Sequence, residues 1–258
     1  MKCVYEGKQI VLVEVVRGSR QNLVILGNGY SIGDPFFSVP KEKKFRRMGT
    51  VLAMFFKKEC SGLEEAQQEL ANFIKREYDN YRNVTLYGHS KCGVMFFYIL
   101  SLIDRPVTSI SVSAPFGGSF WADVEQVKKL LWNERSFGHK ILKGWQYILY
   151  RMIFKNHAVD RDIIAGSEYL EKERTIPGYH TVVNVLSQCL EFSDEIARGN
   201  VRQAFFSQLN HLAGYESGDG IVSSESQLKH GSRVKCYIIA NHMTSFNQAM
   251  FVLKQYVL

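Results

Sequence analysis

The chain has five cysteines, an odd number scattered widely, and no two of them form a C-x-x-C pair. That pattern excludes a disulfide framework and a cysteine-built zinc site, and it fits reduced thiols in a cytosol. No apolar run approaches the roughly 20 residues that span a bilayer. The first residues, MKCVYEGKQIVLVEVV, lack the apolar core and small-residue cleavage site of a secretory leader. A cytoplasmic location is therefore expected; a chain whose leader had been removed, or one secreted without a leader, would read the same. Internal repeats and low-complexity tracts are absent too. The formal net charge is +7, and its densest cluster is KEKKFRR at 41–47. No nucleic-acid-binding module surrounds it, so the charge implies no nucleic-acid partner.

What remains is ordinary soluble composition, 46% hydrophobic and 22% charged over 258 residues, with ample apolar content for a core. Strand-like runs occur at 10–16 (IVLVEVV), 22–30 (NLVILGNGY) and 50–56 (TVLAMFF). A helix follows, with Leu63, Ala66, Leu70, Phe73 and Ile74 at helical spacing, and Ser61 with Glu64 fits a capping box at its start. Then come a strand ending at Gly88, a helix from about Lys91, the strand TSISVSAP, and at the end the strand VKCYIIA before a closing helix. Strands alternating with helices imply right-handed crossovers and a mostly parallel sheet with helices on both faces. Between 119 and 205 the alternation stops, and the stretch reads as helical, aromatic-rich and without a clear strand. It is expected to be a helical cap or lid over a core made of 1–118 and 206–258. Within it, Ile141, Leu142, Trp145, Ile148, Leu149, Met152 and Ile153 form an apolar stripe, with Lys140, Lys143, Arg151 and Lys155 mostly off it. Two readings follow: a helix packed on the core, or a basic amphipathic helix that meets an anionic membrane surface.

The chemistry centres on YGHSKCG at 87–93, which stands between a strand-like and a helix-like run. A serine there fits a nucleophile elbow, a sharp strand-to-helix turn that lifts the hydroxyl clear of the sheet. Ser90 would need a histidine to take its proton and an acid to hold that histidine. His242 follows the terminal strand and opens the last helix, which makes it the base best placed among the seven histidines. Asp219, in the turn SGDGIVSS, is the acid best placed to precede it. An oxyanion hole would take one backbone N–H from Lys91 and a second from Tyr30, in the loop after LVILGNGY.

Together these stretches resemble the α/β-hydrolase superfamily and, within it, bacterial triacylglycerol lipases. LVILGNGY resembles their oxyanion strand, and YGHSKCG their G-H-S-x-G-G elbow. SAPFGGSFWADV is similar to the segment that follows, GDGIVSSES to the acid turn, and NHMTSFNQ to the base segment. The resemblance implies an α/β-hydrolase fold with a helical lid and a carboxylic-ester hydrolase acting on lipid or other acyl esters. Its triad would be Ser90, Asp219 and His242, with Tyr30 and Lys91 as oxyanion donors and no cofactor. Three departures stand out: Asn28 replaces a histidine, Cys92 replaces an elbow glycine, and Thr244 replaces an aspartate that often holds calcium, so no metal is expected. The alternatives are a phospholipase or thioesterase with the same machinery, and a hydrolase-like protein that binds a ligand or partner without turnover.

Overall fold

A computed structural model describes residues 2–29, 45, 47–123, 125–127, 129, 158–228 and 234–258. The stripe at 141–153, its flanking basic residues and Tyr30 lie outside the described residues. Eight strands are described: β1 (Lys2–Glu6), β2 (Ile10–Val16), β3 (Asn22–Asn28), β4 (Thr50–Phe56), β5 (Asn83–His89), β6 (Thr108–Val112), β7 (Thr181–Gln188) and β8 (Val234–Ile239). They form one sheet in the order β1-β2-β4-β3-β5-β6-β7-β8. β2 pairs antiparallel with β1 and β4, while β4, β3, β5, β6, β7 and β8 run parallel to one another.

The apolar runs explain this arrangement. Parallel strands covered on both faces read as near-continuous hydrophobic stretches rather than as an alternation. In β3, Leu23 and Ile25 enter one core while Val24 and Leu26 enter the other. The first core is roofed by helices α1 (Leu63–Glu77) and α2 (Lys91–Tyr98), the second by α8 (His242–Gln248) and α9 (Met250–Val257). Between these lie α3 (Ala158–Arg161), α4 (Glu168–Glu171), α5 (Phe192–Ala197), α6 (Val201–Leu212) and α7 (Ser224–Leu228).

Two expectations are corrected. The stretch 119–205 is not strand-free: β7 lies inside it and takes its place in the sheet between β6 and β8. Its sequence, TVVNVLSQ, interrupts the valines with Asn184 and Ser187, which spoils the apolar run although both side chains are buried. The capping box does not form either. Gln9 accepts the Ser61 backbone N–H, and α1 starts at Leu63, whose N–H donates to Asp162 Oδ2 at 2.6 Å. A carboxylate from across the fold thus replaces a local cap at the positive end of the helix.

Candidate active site

The predicted residues that are described follow three parallel strands, Ser90 and Lys91 after β5, Asp219 after β7 and His242 after β8, on the side of the strands' carboxyl ends, where open α/β sheets place their sites. β5 ends at His89, α2 begins at Lys91, and Ser90 between them has φ 57° and ψ −131°. A serine seldom adopts this backbone conformation, and such strain persists only where the surroundings enforce it. The surroundings here are tight. A Cβ on Gly88 would stand 2.6 Å from the Cys92 carbonyl oxygen, and one on Gly93 would stand 2.9 Å from Ala114 Cβ. The Gly93 and Val94 N–H groups donate to the Ser90 carbonyl at 2.8 and 3.3 Å and lock the turn. Cys92 is fully buried, and burial pushes its thiol well up from its usual range. It behaves as a small apolar side chain.

His242 opens α8 after β8, and Asn241 caps that helix by accepting the Thr244 N–H at 2.9 Å. The His242 Nε2 lies 3.0 Å from Ser90 Oγ, and its Nδ1 lies 2.6 Å from Asp219 Oδ2. A carboxylate only accepts, so Nδ1 carries the proton and Nε2 presents its lone pair to the serine hydroxyl. Asp219 is held by further donors. Its Oδ1 accepts from the Ile221 and Val222 N–H groups at 3.0 and 2.8 Å, and Oδ2 accepts from Ser187 Oγ at 2.9 Å. The His242 N–H also donates to the Asp219 carbonyl at 2.9 Å. Asp219 and His242 are inaccessible to solvent, whereas Ser90 keeps 6% exposure.

Of the two predicted oxyanion donors, Lys91 stands at the first turn of α2. Tyr30 lies outside the described residues, but the loop toward it sets off beside the serine. The Gly29 N–H donates to the His89 carbonyl at 3.1 Å, and a Cβ on Gly29 would stand 2.7 Å from Ser90 Cβ. Only a glycine fits that approach. Three features around the site carried no signal that the sequence reading used. The Lys91 ammonium forms a buried ion pair with Asp160 of α3. The His89 ring packs against that of His242, centroids 4.6 Å apart, and burial first and His242 second hold its pKa well below the ordinary value. Ser187 approaches Asp219 from β7, the strand that was missed.

Solved structures share this fold across nearly the whole chain. The mature form of a Bacillus licheniformis lipase superimposes with a TM-score of 0.57 at 13% identity, covering 95% of this chain and 97% of the other. A type II thioesterase from the borrelidin biosynthetic cluster gives 0.55 at 12% identity over 98% of both chains. An α/β-hydrolase fold protein from Chitinophaga pinensis gives 0.50 at 10% identity, covering 95% of this chain and 91% of the other. The fold is that of the α/β-hydrolases. At these identities the likeness concerns the α/β-hydrolase fold and not the reaction. No protein-family model and no curated protein matches the sequence.

Proposed function

We propose that this α/β-hydrolase-fold protein is a serine-dependent hydrolase of acyl esters. The observation that carries the reading is the unbroken run from Asp219 through His242 to Ser90, at 2.6 and 3.0 Å, which ends on a strained elbow. A serine hydroxyl is a weak nucleophile alone, and this run supplies both the base and the group that fixes its tautomer. Ser90 Oγ attacks the acyl carbonyl carbon while its proton passes to His242 Nε2. The Nδ1–H···Oδ2 bond stabilises the imidazolium. The carbonyl oxygen gains negative charge, which the Lys91 and Tyr30 N–H groups neutralise. As the tetrahedral intermediate collapses, the bond from the carbonyl carbon to the leaving oxygen breaks, and His242 hands its proton to the departing alcohol. Water then attacks the acyl-enzyme with His242 as base, releasing the carboxylic acid and restoring Ser90.

The thioesterase likeness makes acyl thioesters the natural second substrate class, with a thiol in place of the alcohol. A fluorophosphonate probe should label the wild-type protein, and Ser90→Ala should abolish labelling while the protein stays folded. On a panel of p-nitrophenyl esters and acyl thioesters of graded chain length, Ser90→Ala should lose turnover by about 10⁴-fold or more. Labelling that persists in Ser90→Ala would assign the reactive serine elsewhere. A wild type that binds acyl ligands without labelling or turnover would make the protein a binding module.

A further inference from the structure

Behind Asp219 and His242 lies a second polar system that the reaction above does not use. Ser187 on β7 donates to Asp219 Oδ2 at 2.9 Å, and its hydroxyl is also paired with that of Ser113 at the end of β6. Ser113 Oγ lies 2.8 Å from Ser245 Oγ, and Ser245 Oγ, on α8, lies 3.0 Å from the His242 carbonyl oxygen. His89 closes the set, with Nε2 2.9 Å from the His242 carbonyl and 3.0 Å from Ser245 Oγ. Ser113, Ser187 and Ser245 are inaccessible to solvent and His89 is 1% exposed.

Burying three hydroxyls and an imidazole in one place costs free energy unless all are satisfied, and a sheet core of this size has apolar alternatives. The backbone tells the same story. Among the described residues, Ser90 and Ser113 are the two non-glycine positions with positive φ, at 57° and 52°. Ser113, directly after β6, thus holds a backbone conformation that a non-glycine residue seldom adopts, and its hydroxyl lies in this polar set. β7 is clamped as well: the Ser187 N–H donates to Gln227 Oε1 at 2.9 Å, and Gln227 Nε2 donates back to the Ser187 carbonyl at 3.0 Å. Gln227 sits on α7, directly after the turn that carries Asp219, so one side chain locks the acid turn to the strand presenting Ser187.

We propose that Ser187, braced by Ser113, Ser245 and Gln227, is a positioning residue that aims the Asp219 carboxylate at His242. This rests on the reading that Ser90, His242 and Asp219 act together. Ser187 takes up part of the negative charge on Oδ2 and fixes its lone-pair direction, leaving the Nδ1–H bond short and in line. Without that donor, the carboxylate is freer to rotate and more negative toward the imidazole. The imidazolium is then favoured, the base is protonated at a higher pH, and fewer molecules hold the reactive geometry. Among the described residues, the titratable groups facing this pair are His89 against the imidazole, and Cys189 and Tyr215 near Asp219, both raised chiefly by burial.

The test compares Ser187→Thr with Ser187→Val, two side chains of nearly equal shape that differ in the hydroxyl, beside wild type and Ser187→Ala. All are assayed on one soluble ester and with the fluorophosphonate probe. Ser187→Thr should keep most of the wild-type kcat. Ser187→Val should lose roughly tenfold in kcat with KM changed less than about twofold, the size one charge-assisted hydrogen bond supports. The acidic limb of its kcat/KM profile should move to higher pH. The matched shapes keep the comparison valid even if Ser187→Ala folds poorly. If the wild type labels and turns over while Thr and Val variants share one kcat and one pH profile, Ser187 is only packing and the proposal fails alone. A wild type that neither labels nor turns over overturns the functional reading and this proposal with it.

Discussion

Gly27 on β3 makes room for Cys92, the side chain that stands where the elbow pattern has a glycine. A Cβ on Gly27 would lie 2.8 Å from Cys92 Cβ and 2.6 Å from Phe96 Cζ. Gly27→Ala should therefore overpack the junction and cost about 1–3 kcal/mol in urea unfolding. Cys92→Gly alone should cost roughly 1 kcal/mol through backbone entropy at the start of α2. The double variant should cost less than the sum by more than about 0.5 kcal/mol, since removing Cys92 vacates part of the space that the new methyl needs. Strict additivity would show that the two residues do not share that space. Ser90, Asp219 and His242 were legible in the sequence because each stands in a short run with its own signature, at a strand end or in a glycine-rich turn. Ser187 and Ser245 were not. A single serine in TVVNVLSQ or HMTSFNQ has no spacing signature, and its meaning arises only when β6, β7 and α8 bring the hydroxyls together.

At the scale of elements, periodicity recovered β2 through β6, β8 and α1, whose apolar faces are long and regular. It missed β7, where Asn184 and Ser187 break the apolar run, their side chains donating to the Gln227 carbonyl and to Asp219 Oδ2. It also misplaced the cap of α1, because the atom that caps the helix comes from Asp162, far along the chain. Helix α3 and the residues just after it make two such long-range ties, Asp162 to α1 and Asp160 to Lys91 at the elbow. Lys91 and Asp160 are only 5% and 3% exposed, and the Lys91 ammonium is paired with the Asp160 carboxylate. Asp160→Ala should leave an uncompensated buried ammonium and cost about 3–5 kcal/mol. The double variant Lys91→Met/Asp160→Leu removes both charges and should recover most of that loss, while keeping the backbone N–H at position 91. Urea midpoints of the three proteins decide it. A cost below about 1 kcal/mol for Asp160→Ala would mean that water reaches the pair.

For the whole molecule, the order of motifs along the chain was enough to indicate a parallel sheet with its chemistry at one edge, because the topology carries every loop after a parallel strand to that edge. Among the described residues no helix is long and apolar enough to cross a membrane. The same burial that builds the site makes the fold sensitive to acid. Burial holds His89 well below the ordinary histidine value of 6.5, with the nearby His242 adding to the effect, and burial lowers His180 as well. Both are therefore neutral in the folded chain at pH values where the unfolded chain takes up a proton. Stability is fully present above the unfolded value of about 6.5 and falls as pH drops below it, until the depressed folded values are reached. The slope approaches at most about 1.4 kcal/mol per pH unit for each histidine. Asp162 acts in the opposite sense, since burial raises its carboxyl, but it does so in the more acidic carboxylate range. Urea midpoints measured from about pH 7.5 down to about 5 isolate the histidines, whose ordinary range this is. Over that window the wild type should lose stability steadily. His89→Gln, which keeps a polar side chain but cannot titrate, should start less stable at pH 7.5 and show a clearly shallower slope. Equal slopes in the two proteins would mean that His89 takes up its proton in the folded state as readily as in the unfolded one, and that the buried system behind His242 is open to water.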